Sequence, residues 1–194
     1  MTTSNIAKIE AHRTRGLGER MEPKYYQNWH LANSGTEVLV TEFEWSLMRL
    51  YEAFARWVST TSSLLIDEDI KFTEHLILHI IRMHNRPKNS ITIARMMNRD
   101  DLANLQYSLR KLEAAGLISK SKDKTGKSFS YIVTDKGKQI TDGYATIRSD
   151  LLIRAISTIS DIDERMAEMT KMVSVLTGIY EEMARSATTY NAQY

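Results

Sequence analysis

The side chains best equipped to touch another molecule lie between positions 99 and 127. Arg99, Asn104, Gln106, Tyr107, Arg110 and Lys111 come first, and Lys120, Lys122, Lys124 and Lys127 follow. Asn and Gln amides can pair bidentately with adenine and a guanidinium with guanine, while Tyr and Lys can bond phosphate oxygens. Residues 86–127 also include Arg86, Lys88 and Arg95, and the only acids among them are Asp100, Asp101, Glu113 and Asp123. The local balance is +6 in a chain whose net charge is +2. A basic stretch on a nearly neutral protein is the footprint of a polyanion-binding face; a solvated, lysine-rich surface is the alternative.

The elements that would hold these residues can be read from periodicity. Apolar residues at Phe43, Leu47, Leu50, Tyr51, Phe54, Trp57 and Val58 step by three and four, which predicts an amphipathic helix from about Thr41 to Leu65. The stretch FTEHLILHIIRMH (72–84) is apolar on more than one side and predicts a buried helix that Pro87 ends. Ser90 is a candidate N-cap for a short helix carrying Ile91, Ile93, Met96 and Met97. After a break at Asn98-Arg99, Asp100 or Asp101 can cap a second helix with a Leu102, Leu105, Leu109, Leu112 stripe, which Gly116 stops. Two short helices around a tight break predict a helix-turn-helix.

With that stripe turned inward, the opposite face presents Ala103, Asn104, Tyr107 and Lys111, flanked by Gln106 and Arg110. LISKSK (117–122), a turn around Gly126 and FSYIV (129–133) then predict a β-hairpin, with Lys120, Lys122 and Lys124 on one side of it. Thr134 caps a further helix, and a last one carries Ile162, Met166, Met169, Met172, Val173, Leu176, Ile179 and Tyr180 at helical spacing. A helix-turn-helix followed by a hairpin is a winged helix. Its second helix fits the major groove and the hairpin grips backbone. Four methionines in the last helix (Met166, Met169, Met172, Met183) and the apolar first helix exceed what one small core needs, which favours a partner helix; an intrachain core is the alternative.

Several classes fall away. The chain has no cysteine, so disulfide and thiolate chemistry are excluded. The N-terminus has no apolar signal core, and the apolar runs are too short to span a bilayer, so a cytoplasmic location without membrane contact is expected. No cofactor fingerprint, phosphate-cradling loop or nucleophile elbow stands out, so neither a cofactor nor catalysis is expected. His75 and His79 lie four apart on the buried helix, a spacing metal sites use, but EHLILH is not a metalloprotease signature, and packing is the preferred reading.

The run LQYSLRKLEAAGLISKSKDKTGKSFSYIVTDKGK resembles the reading helix and wing of MarR-type (multiple antibiotic resistance regulator) transcription regulators. The family's Leu-x-x-Leu-Glu-x-x-Gly-Leu-Ile is here Leu109–Ile118, and its Leu-Thr-x-x-Gly helix start is here Val133-Thr134-Asp135-Lys136-Gly137. The likeness spans roughly 40–186, with its specific motifs in 102–138. It implies a mainly α fold with a small β-hairpin wing. A winged helix-turn-helix (71–134) would be flanked by long N- and C-terminal dimerisation helices (36–70 and 135–186), with an arm at 1–35 and a frayed tail at 187–194. It also implies a homodimer on a pseudo-palindromic stretch of double-stranded DNA, modulated by a small-molecule effector. Asn104, Gln106, Tyr107, Arg110 and Lys111 would approach bases and adjacent phosphates, with Arg99, Lys122, Lys124 and Lys127 on the backbone. Trp45, Trp57, His75 and His79 are candidates to line an effector pocket, plain core packing being the alternative for each. Family wings carry Asp-x-Arg-x-x-Arg, whereas this chain has Asp123-Lys124-Thr125-Gly126-Lys127-Ser128, which favours phosphate contact over minor-groove reading. A winged-helix adaptor that meets an acidic protein partner is the alternative function.

Overall fold

The computed structural model describes residues 29–32, 34–67, 69–122 and 129–191, and the elements run in the order the periodicities predict. Helix α1 spans Gly35–Ser63, α2 Phe72–Arg82, α3 Ser90–Met96 and α4 Leu102–Ala114. Strands β1 (Lys88–Asn89), β2 (Ile118–Lys122) and β3 (Phe129–Val133) form an antiparallel sheet in the order β1-β3-β2. Helix α5 (Asp135–Ile147) continues through a π-helical stretch, Arg148–Ile153, into the short α6 (Arg154–Ile156), and α7 covers Ile162–Ala187. The fold is therefore mainly helical with a small sheet, a winged helix flanked by helices. Two compact units divide at Thr60/Thr61.

In the unit from Thr61 onward, one core gathers Ile77, Leu78 and Ile81 of α2, Ile93 of α3, and Leu105, Leu109 and Leu112 of α4. Leu117, Ile118, Tyr131, Val133 and Ile140 of α5 complete it. Leu102 was expected in the α4 stripe but is 46% exposed, because it is the first residue of the helix and lies beyond the core's edge. In the unit up to Thr60, Val38, Thr41 and Val58 are buried, while Leu47, Leu50, Tyr51 and Phe54 of the predicted stripe are exposed.

The helix ends explain the breaks. Helix α3 starts from Asn89, whose side chain accepts from the Thr92 amide at 2.8 Å, so Asn89 and not Ser90 is its cap. It ends in a Schellman arrangement: Asn98 N–H donates to Arg95 O (3.1 Å), Arg99 N–H donates to Ala94 O (3.0 Å), and Asn98 takes a φ of 53°. Helix α4 closes the same way. Gly116, with a φ of 72°, donates to Glu113 O (2.9 Å) and Leu117 donates to Leu112 O (3.0 Å). Asparagine and glycine tolerate the left-handed region that each stop requires.

The wing has a third strand that the sequence pattern did not predict. Two residues, Lys88 and Asn89, pair with Tyr131 and Ser130. So short a strand has no alternation to detect. The segments 1–28, 123–128 and 192–194 lie outside the described residues. They hold most of the expected arm with Tyr25 and Tyr26, and the turn with Gly126, Lys124 and Lys127.

Gly137 and Gly116 separate two kinds of glycine. A Cβ on Gly137 would stand 2.1 Å from the Leu117 carbonyl oxygen, a backbone atom that cannot swing aside, whereas one on Gly116 meets nothing within 4 Å and suffers only from its positive φ. Gly137→Ala is therefore expected to cost about 3 kcal/mol or more, and Gly116→Ala only about 1–2 kcal/mol. Denaturant unfolding of the two variants checks the order, and equal losses would refute it.

Candidate nucleic-acid interface

Helix α4 is set in place by its buried face. Leu105, Leu109 and Leu112 enter the core, and Ser108 between them donates to Glu74 Oε1 of α2 at 2.7 Å. The other Glu74 oxygen accepts from the Lys71 amide at 3.1 Å, so a buried carboxylate both closes the first turn of α2 and pins α4. Neither residue was expected from the sequence, because a glutamate and a serine in helices ordinarily signal solvent.

The opposite face is open. Ala103, Tyr107, Arg110 and Ala114 point away from the core, with Tyr107 60% exposed. The flanks are committed elsewhere. On one side the Lys111 ammonium pairs with Asp69 at 3.1 Å and is half-buried, so the chain holds it toward the segment before α2 and not at the centre of the outward face. On the other side Gln106 is half-buried, and its Oε1 accepts from the Tyr131 hydroxyl at 3.4 Å. Burial raises the Tyr131 phenol above its ordinary range, the Glu113 charge adds to this, and Arg110 opposes it. Arg110 therefore stands near the wing, in solvent.

Asp101 caps α4. Its carboxylate accepts from the Asn104 amide at 3.0 Å, and this bond holds the group below the usual carboxylate range. The Asn104 side-chain Nδ2 also donates to Asp101. Asn104 is exposed, but its amide donor is engaged within the helix start.

Around the turn between α3 and α4, the exposed Arg95 and Arg99 border a depression that Ile91, Asn98 and Leu102 also line. Arg95 was counted in the basic stretch but not expected in the site. On the wing, register pairs Lys120 with Tyr131 and Lys122 with Phe129, so both lysines share the side from which Tyr131 reaches Gln106. Lys120 Nζ stands 4.0 Å over the Phe129 ring, and Lys122 is exposed at the strand end. Lys124 and Lys127 lie outside the described residues. Lys88 is not part of this face. It is buried, and its ammonium donates to the Ile81 (3.1 Å), Met83 and Arg86 (3.3 Å) carbonyls at the end of α2.

The candidate pocket residues divide between the two units. His75 and His79 come together with Tyr144, a residue not expected there, at ring-centroid distances of 4.5 to 4.8 Å. His75 Nδ1 shares a hydrogen bond with Ser62 Oγ. Among the described residues, no group of three or more His, Cys, Asp and Glu side chains is arranged to hold a metal ion. Trp45 lies against Trp29, with centroids 6.4 Å apart, and Trp57 is half-buried. No helix among the described residues is long and apolar enough to cross a membrane.

Residues 71–137 match the winged helix DNA-binding domain family. No curated protein matches the chain. Among solved structures, a MarR family transcription regulator superposes with a TM-score of 0.62 at 14% identity, covering 77% of this chain and 95% of its own. AbfR of Staphylococcus epidermidis gives 0.60 at 18% identity, over 75% and 96%. MepR of S. aureus, solved as a complex with DNA, gives 0.57 at 17% identity, over 69% and 97%.

Burial lowers the imidazole pKa of both His75 and His79, and the His79 ring helps bring His75 to about 3. Both stay neutral in the folded chain at a pH where the unfolded chain takes up protons. The stability they permit is thus complete above the unfolded value near 6.5. It is lost as pH falls from there toward about 3, by up to roughly 1.4 kcal/mol per pH unit for His75. Denaturation at a series of pH values should show this slope, and His75→Gln, which takes no proton, should flatten it. An unchanged slope in that variant would remove His75 as its source.

Proposed function

With residues 71–137 forming a winged helix DNA-binding domain in the fold of MarR-family regulators, we propose that the protein is a transcription regulator that binds a specific duplex as a homodimer. The observation that carries this reading is the outward face of α4, where Ala103, Tyr107 and Arg110 stand in solvent beside a wing whose Lys120 and Lys122 share its side. A helix of this kind fits a major groove, and a basic hairpin beside it suits the adjoining backbone. Arg110 is the side chain best set to reach a guanine edge. Arg99, Lys122, Lys124 and Lys127 take phosphates, Gln106 and Lys111 contribute only after leaving their present partners, and Asn104 stays with its Asp101 partner.

The homodimer has support from α7. Every residue of it is exposed or half-buried, and Met166, Met169, Met172, Val173, Ile179, Tyr180 and Met183 all remain open to solvent. A helix of 26 residues with an uncovered apolar stripe has the character of a dimer seam. The apolar residues left exposed on α1 fit the same role. An effector regulates such a dimer by biasing the separation of its two reading helices.

Four phosphate contacts per protomer should give a log K against log[salt] slope of about −7 for the dimer. Arg110→Ala should weaken the selected duplex by about 1–3 kcal/mol while leaving random duplex nearly unaffected. Equal losses on both duplexes would make Arg110 a backbone contact, and a flat salt response would favour a protein partner over DNA. In sedimentation, Met172→Glu combined with Ile179→Glu should shift a dimer to a monomer, with the helical signal of the winged domain retained; a mutant that stays dimeric would exclude α7 from the seam.

A further inference from the structure

The leading half of α4 exposes apolar surface beside Asn104. Leu102 is 46% exposed, Ala103 follows it, and Tyr107 lies one turn beyond Ala103 on the same face. The polar residue among them, Asn104, has one N–H of its side-chain amide on Asp101. A bidentate pair with adenine needs the amide plane turned to the base, and turning it would break this bond beside the cap. Gln106 on the flank is likewise occupied, as the acceptor for Tyr131. Two polar groups on this face stand in solvent, the Tyr107 hydroxyl at the tip of its ring and the Arg110 guanidinium, two turns into the helix.

Accepting that α4 enters the major groove, we propose that its leading half recognises thymine methyl groups through Leu102, Ala103 and Tyr107, with Asn104 withheld from the bases by Asp101. The thymine C5 methyl is the one apolar feature that the major groove presents, and an exposed leucine, alanine and tyrosine ring edge complement it. Charge is compatible with the same placement: Arg95 and Arg99 outnumber Asp100 around the depression that Leu102 lines, where backbone on either side of the contacted bases would pass. Ala103 permits the close approach that methyl contact requires. The half-site then has A·T pairs under the first turns of α4 and a guanine toward Arg110.

The test uses the full chain and a duplex selected by it from a random pool. Each thymine is replaced in turn by deoxyuridine, which removes the methyl and keeps every hydrogen-bonding group. At one or two positions per half-site, affinity should fall about fourfold for each methyl removed. Leu102→Ala, at an exposed position, should retain the circular dichroism of the parent and lose that sensitivity at one of them. Asn104→Ala should leave the base preference unchanged. A selected duplex bound equally well with uracil throughout would overturn methyl recognition while leaving DNA binding intact. A changed adenine preference in Asn104→Ala would overturn the withholding of Asn104. Failure to select any sequence would remove the DNA-binding reading and this inference together.

Discussion

The carbonyls of Gly116 and Leu117 emerge from the end of α4 without helical partners, and Thr134 takes both. Its hydroxyl lies 2.7 Å from Gly116 O and 3.2 Å from Leu117 O, its own amide donates to Leu117 O at 3.1 Å, and its Oγ1 accepts from Gly137 N at 3.1 Å. Lys136 adds a bond to the Ala115 carbonyl at 3.1 Å. One residue thus satisfies the carbonyls beyond α4, closes the wing strand β3 and starts α5. The contact requires a glycine at 137, because the Leu117 carbonyl occupies the space a side chain would need. The angle between α4 and the wing follows from this junction.

A second constraint holds the other side of α4. The Glu74–Ser108 bond is buried, and a buried carboxylate without its partner costs more than the bond itself contributes. Lys88 does similar work at the far end of α2, where its ammonium bonds three carbonyls around the left-handed residues His84 and Asn85. Apolar packing brings α2 and α4 together, and these polar ties choose one register from the several that leucine stripes allow.

The fold was legible where its signals are local and repeated. Leucine spacing in α4, the Gly116 stop, the Thr134 cap and the alternation of FSYIV all correspond to observed elements. What could not be read depends on pairings distant in sequence. Glu74 finds Ser108 across 34 positions and Lys111 finds Asp69 across 42, and neither spacing leaves a periodic trace. The β1 strand failed for a related reason, since two residues are too few to alternate. For the candidate site, residue type and helical angle put Tyr107 on the outward face and Arg110 on its flank, and both are exposed. They could not indicate that Asn104, Gln106 and Lys111 already have partners inside the chain.

Those internal partners change the meaning of the basic stretch. Counted along the chain, its cations look equivalent. In the structure, Lys88 is a buried cap for α2, Lys111 is neutralised by Asp69 and Lys120 rests on Phe129. Arg95 and Arg99 at the helix turn, Arg110 on α4 and Lys122 on the wing remain exposed. Three of these four are arginines, and they lie on α3, the turn after it and α4, with Lys122 on the wing. A guanidinium is weakly hydrated and presents a fixed fork of donors, whereas an ammonium is a strongly hydrated point charge. The net surplus of charge therefore overstates the cations exposed on these elements, and most of those exposed are the arginines around α4.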